Sequence, residues 1–241
     1  MRNNWKFYIL LILFSQPILA EYRTKIAVID SGIYKSMQYK KFMCKEKPKS
    51  FIDNNPYDVD SHGSNIVGII GEALNPKTHC IVSYKFYSSI KTPVQNTEAL
   101  IAAMKAVLKD HRVKYLNLSL GGYGSDDDER NTLIKLLKRG VVVITAAGNN
   151  GENLNLNKNK YYPASYRDNY KHKNFYVVGT RSSWSNYGKV VTDIYNGKNV
   201  GPKTMPYIPK KTGTSQAAAQ KTADLVKKRG INILREVIIG Q

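Results

Sequence analysis

The sequence predicts a single α/β domain with a mainly parallel central sheet and helices on both faces. Three observations carry this. Continuous apolar runs rich in β-branched residues recur at 25–29, 79–87, 113–120, 141–146 and 175–179, as buried parallel strands do. Segments with apolar residues at helical spacing separate several of them, the alternation expected when crossover helices wind a parallel sheet. The length of 241 residues, 42% of them hydrophobic, suits one substantial core, and no internal repeat is visible.

At the N-terminus, Arg2 and Lys6 precede and enter an apolar stretch, uncharged over 7–13, that breaks at Gln16 and Pro17 and reaches a small residue at Ala20. This is the charged, apolar and cleavage-site order of a secretory signal peptide over residues 1–20. The run is too short to span a bilayer comfortably, which disfavours a retained anchor. Cleavage after Ala20 would leave 21–241 as a secreted or periplasmic domain and lower the formal charge from +19 to +17. The basic residues are scattered and lack the interleaved aromatics of a nucleic-acid channel, so no nucleic-acid partner is expected. They read as a solvated lysine-rich surface, with weak attraction to anionic envelope surfaces as the functional alternative.

The strand at 25–29 ends on Asp30-Ser31-Gly32, a carboxylate at a glycine turn. Residues 34–60 are polar and irregular and read as surface loops. Ser61-His62-Gly63-Ser64 opens a helix carried by Ile66, Val67, Ile69, Ile70 and Leu74, ending near Asn75-Pro76. His62 then lies in its first turn, where the helix dipole lowers an imidazole pKa and suits a neutral base. After the strand at 79–87, Leu100, Ile101, Met104, Val107 and Leu108 mark a helix over 95–109. The strand at 113–120 ends at Gly121-Gly122, and Asp126, Asp127 and Asp128 form the acidic first turn of the next helix rather than a metal site. The strand at 141–146 runs into Ala147-Gly148-Asn149-Asn150, and further strands are expected at 175–179 and near 189–194. Gly213 turns the chain into an alanine-rich helix with Ser215 at its mouth, ending near Gly230 before a short segment over 231–239. By itself Gly-Thr-Ser before a helix is usually only a cap. Cys44 and Cys80 form either a disulfide, adding about 3–4 kcal/mol in the chain-entropy model, or two buried thiols; the four histidines lack metal spacing.

A strand-end Asp30, a helix-start His62 and a helix-start Ser215 together offer an orienting acid, a base and a nucleophile, in one of the known chain orders for such a triad. Asp-Ser-Gly at 30–32, His-Gly at 62–63 and Gly-Thr-Ser-x-Ala at 213–217 resemble the three signatures of the subtilisin-like serine proteases, with spacings of 32 and 153 positions like those of a small member. Asn117-Leu-Ser-Leu-Gly-Gly122 resembles the family's substrate-binding strand. The segment 146–150 resembles the one that carries the oxyanion asparagine, and Tyr162-Pro163-Ala164 the loop beneath the specificity pocket. The resemblance runs from Lys25 to about Lys228.

It implies a secreted serine endopeptidase acting on protein or peptide substrates. Asp30, His62 and Ser215 would be catalytic, Asn149 the oxyanion donor, and Leu118, Ser119, Leu120, Gly121, Ala147, Gly148 and Tyr161 the substrate-binding residues. The competing reading is a catalytically silent relative that binds peptides or a partner. No cofactor or metal is expected, because the longer loop that binds calcium in many relatives is not seen after the His62 helix. Family members usually carry a prodomain; none is evident here, so folding alone or with a separate helper or inhibitor protein is expected, as a monomer. Gln216 stands where the family usually has methionine. Tyr161 stands where relatives often have a small residue, which implies a shallow pocket for small or medium apolar side chains.

Overall fold

A computed structural model describes residues 23–239 of the chain, with side chains described over 23–228; the expected signal segment lies outside the described residues. Strand β1 (Thr24–Asp30) and strand β2 (Lys49–Ser50) precede helix α1 (His62–Gly71), strand β3 (His79–Lys85) and helix α2 (Pro93–Lys109). Strand β4 (Val113–Leu118), helix α3 (Asp127–Lys138), strand β5 (Val142–Ala146), strand β6 (Phe175–Gly179), strand β7 (Asp193–Ile194) and helix α4 (Thr214–Ile239) follow. The strands form one seven-stranded sheet in the order β2-β3-β1-β4-β5-β6-β7, with every pairing parallel.

Helices cover both faces, as the strand sequences require. Ala27, Ile29, Val82, Leu116, Leu118, Val143 and Val177 pack on one face with Leu100, Met104 and Val107 of α2 and Leu133, Leu136 and Leu137 of α3. Their neighbours in sequence, among them Ile26, Val28, Ile81, Tyr115, Ile144 and Val178, pack on the other with α1 and α4. Strand residues alternate between two dry faces, so both alternate sets must be apolar. The alanines at 217–219 are all fully buried, and their small side chains let α4 lie close to the sheet.

Local chemistry explains the helix starts. Thr92 accepts from Gln95 N while the Gln95 side chain accepts from Thr92 N, a capping box with Pro93 at the first helical position. Asp126 accepts from Glu129 N and Asp127, Asp128 and Glu129 fill the first turn of α3, which favours its positive end.

The structure changes several expectations. Helix α4 does not end at Gly230 but continues to Ile239; a glycine inside a helix costs about 1 kcal/mol without breaking it. The strand expected near 189–194 shrinks to Asp193–Ile194, because a turn with Val191 N donating to Gly188 O uses the preceding residues. The stretch 34–60 is not all surface loop: it contributes β2 and the buried Met37, Met43 and Cys44. Cys44 and Cys80 form a disulfide, tying this stretch to β3. Among the described residues no helix is long and apolar enough to cross a membrane.

Candidate active site

From β1 the chain goes outward to the edge strand β2, comes back to β3 beside β1, and then crosses past β1 to β4. Parallel α/β sheets place ligand sites at the carboxyl ends of strands where the winding reverses. A cleft of about 930 Å³ opens there, lined among others by Asp30, His62, Asn149 and Ser215. Residues far apart in sequence therefore meet because strand ends and helix starts share one rim.

Asp30, the last residue of β1, accepts from His62 Nδ1 at 2.7 Å and from Ser31 N at 2.7 Å, both through Oδ1. Its Oδ2 is buried without a partner. The contact needs two glycines. A Cβ on Gly63 would lie 2.1 Å from Gly32 O and 3.2 Å from Asp30 Cβ, and Gly32 itself has φ +102°. Only without side chains there does α1 begin against the end of β1.

The turn before His62 is held by two carboxylates. Asp58 Oδ2 accepts from Ser64 N at 2.8 Å and Ser64 Oγ at 2.6 Å, and its Oδ1 from Ser61 N at 3.1 Å. Ser61 sits in the left-handed region at φ 69°, a strained state for a side-chain-bearing residue that these bonds sustain. Asp60 Oδ1 accepts from His62 N at 2.6 Å. The Ser31 hydroxyl lies 3.0 Å from both carboxylates and accepts from Gly63 N.

Burial pushes the His62 pKa down, but Asp30 by charge and hydrogen bond, with Asp60 adding to it, outweighs burial and Lys211 and leaves it above the ordinary imidazole value. This corrects the expected lowering by the helix dipole: carboxylates at contact distance exceed the partial charge of a helix end.

Ser215, the second residue of α4, does not cap its own helix. Its hydroxyl donates to Ser119 O at 3.0 Å, beside the cleft. Ser119 Oγ in turn lies 3.0 Å from Ser215 O and 2.9 Å from Asn117 Oδ1. Asn149 Oδ1 accepts from Thr214 N at 2.8 Å and Thr214 Oγ1 at 2.9 Å. A backbone N–H can only donate, which fixes the amide orientation and leaves the Asn149 Nδ2 donor pair away from Thr214. Thr214 Oγ1 also accepts from Gly148 N, joining the start of α4 to the 146–149 segment.

Of the residues expected to bind substrate, Ser119, Leu120, Gly121, Gly148 and Tyr161 line the cleft. Leu118 and Ala147 are fully buried in the core, so any contribution from them is through the backbone. Tyr161 lies between the two walls: a Cβ on Gly121 would stand 2.1 Å from its Cε1, and one on Gly148 3.0 Å from its Cδ1. Gly122 and Tyr162 exchange backbone bonds of 2.9 and 2.7 Å, pinning the 161–163 segment to the wall. Sequence reasoning passed over Asp58, Asp60 and the pairing of Gln216 with Asn65. The first two stand in a stretch read as irregular loop, and only their position before Ser61-His62 could have marked them.

The Subtilase family model (Peptidase S8) matches residues 22–225. A major intracellular serine protease of Bacillus subtilis is 31% identical over 45% of this chain and 34% of its own length. Subtilisin-like protease 1 of Pseudogymnoascus destructans is 28% identical over 80% of this chain and 48% of its own. The chain thus spans less than half the length of these curated relatives. The fold matches the crystal structure of a cold-adapted subtilisin-like serine proteinase, with TM-score 0.68 and 22% identity over 86% of this chain and 76% of that one. It also matches a lanthipeptide protease, with TM-score 0.64 and 23% identity over 84% and 72%. The chain belongs to the subtilase family.

Proposed function

We propose that this subtilase is an exported serine endopeptidase that hydrolyses peptide bonds through an acyl-enzyme. The observation that carries the reading is the 2.7 Å His62 Nδ1–Asp30 Oδ1 contact in the cleft that also holds Ser215 and Asn149. An ordinary serine hydroxyl is a weak nucleophile at neutral pH. Rotation about χ1 turns Ser215 from Ser119 O toward the imidazole, whose free nitrogen takes the proton as Oγ attacks the carbonyl carbon. Asp30 holds the tautomer with its proton on Nδ1 and stabilises the imidazolium. The Asn149 amide and the Ser215 N–H, at the positive end of α4, meet the oxyanion. Imidazolium then protonates the leaving amine, and water repeats the sequence to release the acid.

Substrate lies extended along 119–121 as an added strand. Tyr161 restricts the pocket between the 119–121 and 146–149 walls, which supports small or medium apolar side chains before the cleaved bond. Export is supported by the Cys44–Cys80 disulfide, a bond that persists in oxidising compartments.

The competing reading is a silent relative that binds peptides, and the Ser215 hydroxyl bond to Ser119 O rather than to His62 is the observation on its side. A fluorophosphonate probe separates them. Labelling of the wild type but not of Ser215→Ala supports the enzyme, and absence of labelling in both supports the silent relative.

A further inference from the structure

The chain carries a formal charge of +19, yet its cleft is lined by the carboxylates of Asp30, Asp60, Glu98, Asp126 and Glu129, with Lys211 as the ammonium. Asp30 is committed to His62. Asp60 uses one oxygen for His62 N and the Ser31 hydroxyl, and its side chain remains exposed. Lys211 Nζ donates to the Asp60 backbone carbonyl at 3.0 Å and makes no hydrogen bond to its carboxylate, so it offsets that charge in part while leaving the second carboxylate oxygen open to a substrate cation. Beyond Leu120, the starts of α2 and α3 contribute the exposed Glu98 and the half-buried Asp126.

Glu129 is the unusual member. It is only 4% exposed, its Oε2 lies 3.0 Å from the Tyr166 hydroxyl, and its Oε1 is buried without a partner. Burial, with Asp126 adding charge, raises its pKa to about 7. A buried carboxylate oxygen left unpaired is costly and marks a group that something else completes. A cation brought to this end of the cleft ionises Glu129 and adds a further charge to Glu98 and Asp126.

We propose that the cleft selects peptides rich in lysine or arginine, one cationic side chain resting at Asp60 beside the cleaved bond and another at the Glu98–Asp126–Glu129 end. This rests on the endopeptidase reading for its turnover but not for its binding. The overall positive charge does not forbid it. Surface charges are screened over about 8 Å at physiological ionic strength, whereas pairs at contact distance inside the cleft are screened far less.

The test uses full-length Ser215→Ala protein and labelled peptides of one length and backbone sequence, carrying Lys, Gln or Glu at the flanking positions. The Lys peptide is expected to bind about tenfold more tightly than the Gln peptide, as two partly exposed ion pairs allow. Asp60→Asn combined with Glu98→Gln, Asp126→Asn and Glu129→Gln should abolish that preference; the Asn at 126 keeps the helix cap. Equal binding of Lys and Gln peptides, tighter binding of the Glu peptide, or a Lys preference that survives the fourfold substitution overturns the proposal. If Ser215→Ala fails to fold, the ratio of kcat/KM for the Lys and Gln peptides in the wild type is read against the same expectations. Fluorophosphonate labelling in parallel tests the endopeptidase reading, so a protein that binds Lys peptides without labelling overturns that reading alone.

Discussion

Gln216 Nε2 donates to Asn65 Oδ1 at 3.1 Å, joining the residue after the candidate nucleophile to the helix that starts with His62. Both side chains are buried, and Asn65 Nδ2 also holds Val200 O at 3.1 Å and Pro209 O at 2.8 Å. The relation of α1 to α4 is therefore set by a polar contact inside an apolar layer, where an unmade bond is costly.

Gln216→Met leaves Asn65 Oδ1 without its donor, at a cost of about 1–3 kcal/mol. Thermal unfolding should fall by several degrees, and kcat should fall while KM holds. A double-mutant cycle with Asn65→Ala should show coupling of about 0.5 kcal/mol or more; additivity in that cycle would mean the pair does not position the helices.

Asn149→Ala removes the side-chain amide proposed as an oxyanion donor. One such donor is worth about 10²–10³ in turnover, a magnitude measured in a member of this family. Single-turnover acylation should slow by that order with little change in substrate affinity, and an unchanged rate would assign the oxyanion to other groups.

Tyr161→Gly empties the space between Gly121 and Gly148. Cleavage after phenylalanine should then rise relative to cleavage after alanine by about tenfold or more, since each added methylene in such a pocket contributes about 1–3 kcal/mol. Cleavage sites sequenced from a peptide library before and after the substitution read this directly.

The charges around His62 predict opposite shifts of the acid limb of kcat/KM, because the base must be neutral and imidazolium is the inactive form. Asp60→Asn removes a charge that raises the His62 pKa and should move the limb to lower pH. Lys211→Met removes a charge that lowers it and should move the limb to higher pH. Shifts of the same sign in both variants would contradict the assignment of the limb to His62.

Glu129 should make stability pH-dependent. Its folded pKa is raised from 4.5 to about 7, so the folded state holds a proton that the unfolded state releases. That contribution is complete below pH 4.5 and is lost as pH rises through 7, by on the order of 3 kcal/mol at most. Denaturant titrations from pH 4.5 to 8 should show this slope in the wild type and a flatter one in Glu129→Gln.

The strands and helices were largely legible because each is set by nearby residues: β-branched runs for buried strands, Asp126 and Thr92 for helix starts. The exceptions have local causes as well. The 189–194 run looked like a longer strand because its residues have strand propensity, but pairing partners end it after two residues. Gly230 looked like a helix stop because a glycine usually is one. Asp30, His62 and Ser215 could be singled out because their backbone settings are local, a strand end and two helix starts, whereas Asn149 was marked only by the resemblance of 146–150 to a family segment.

What the sequence by itself determined is the alternation that builds a parallel sheet, the three signatures at 30–32, 62–63 and 213–217, and a length sufficient for one core. Tertiary structure alone decided that Cys44 meets Cys80, that Tyr161 lies across Gly121 and Gly148, and that Gln216 bonds Asn65. It also decided the sign of the His62 shift, through Asp30 and Asp60. The reason is physical. Propensity, capping and burial pattern act within a turn or two of chain, whereas electrostatics and close contact act through distances that exist only once the sheet has brought remote residues to one rim.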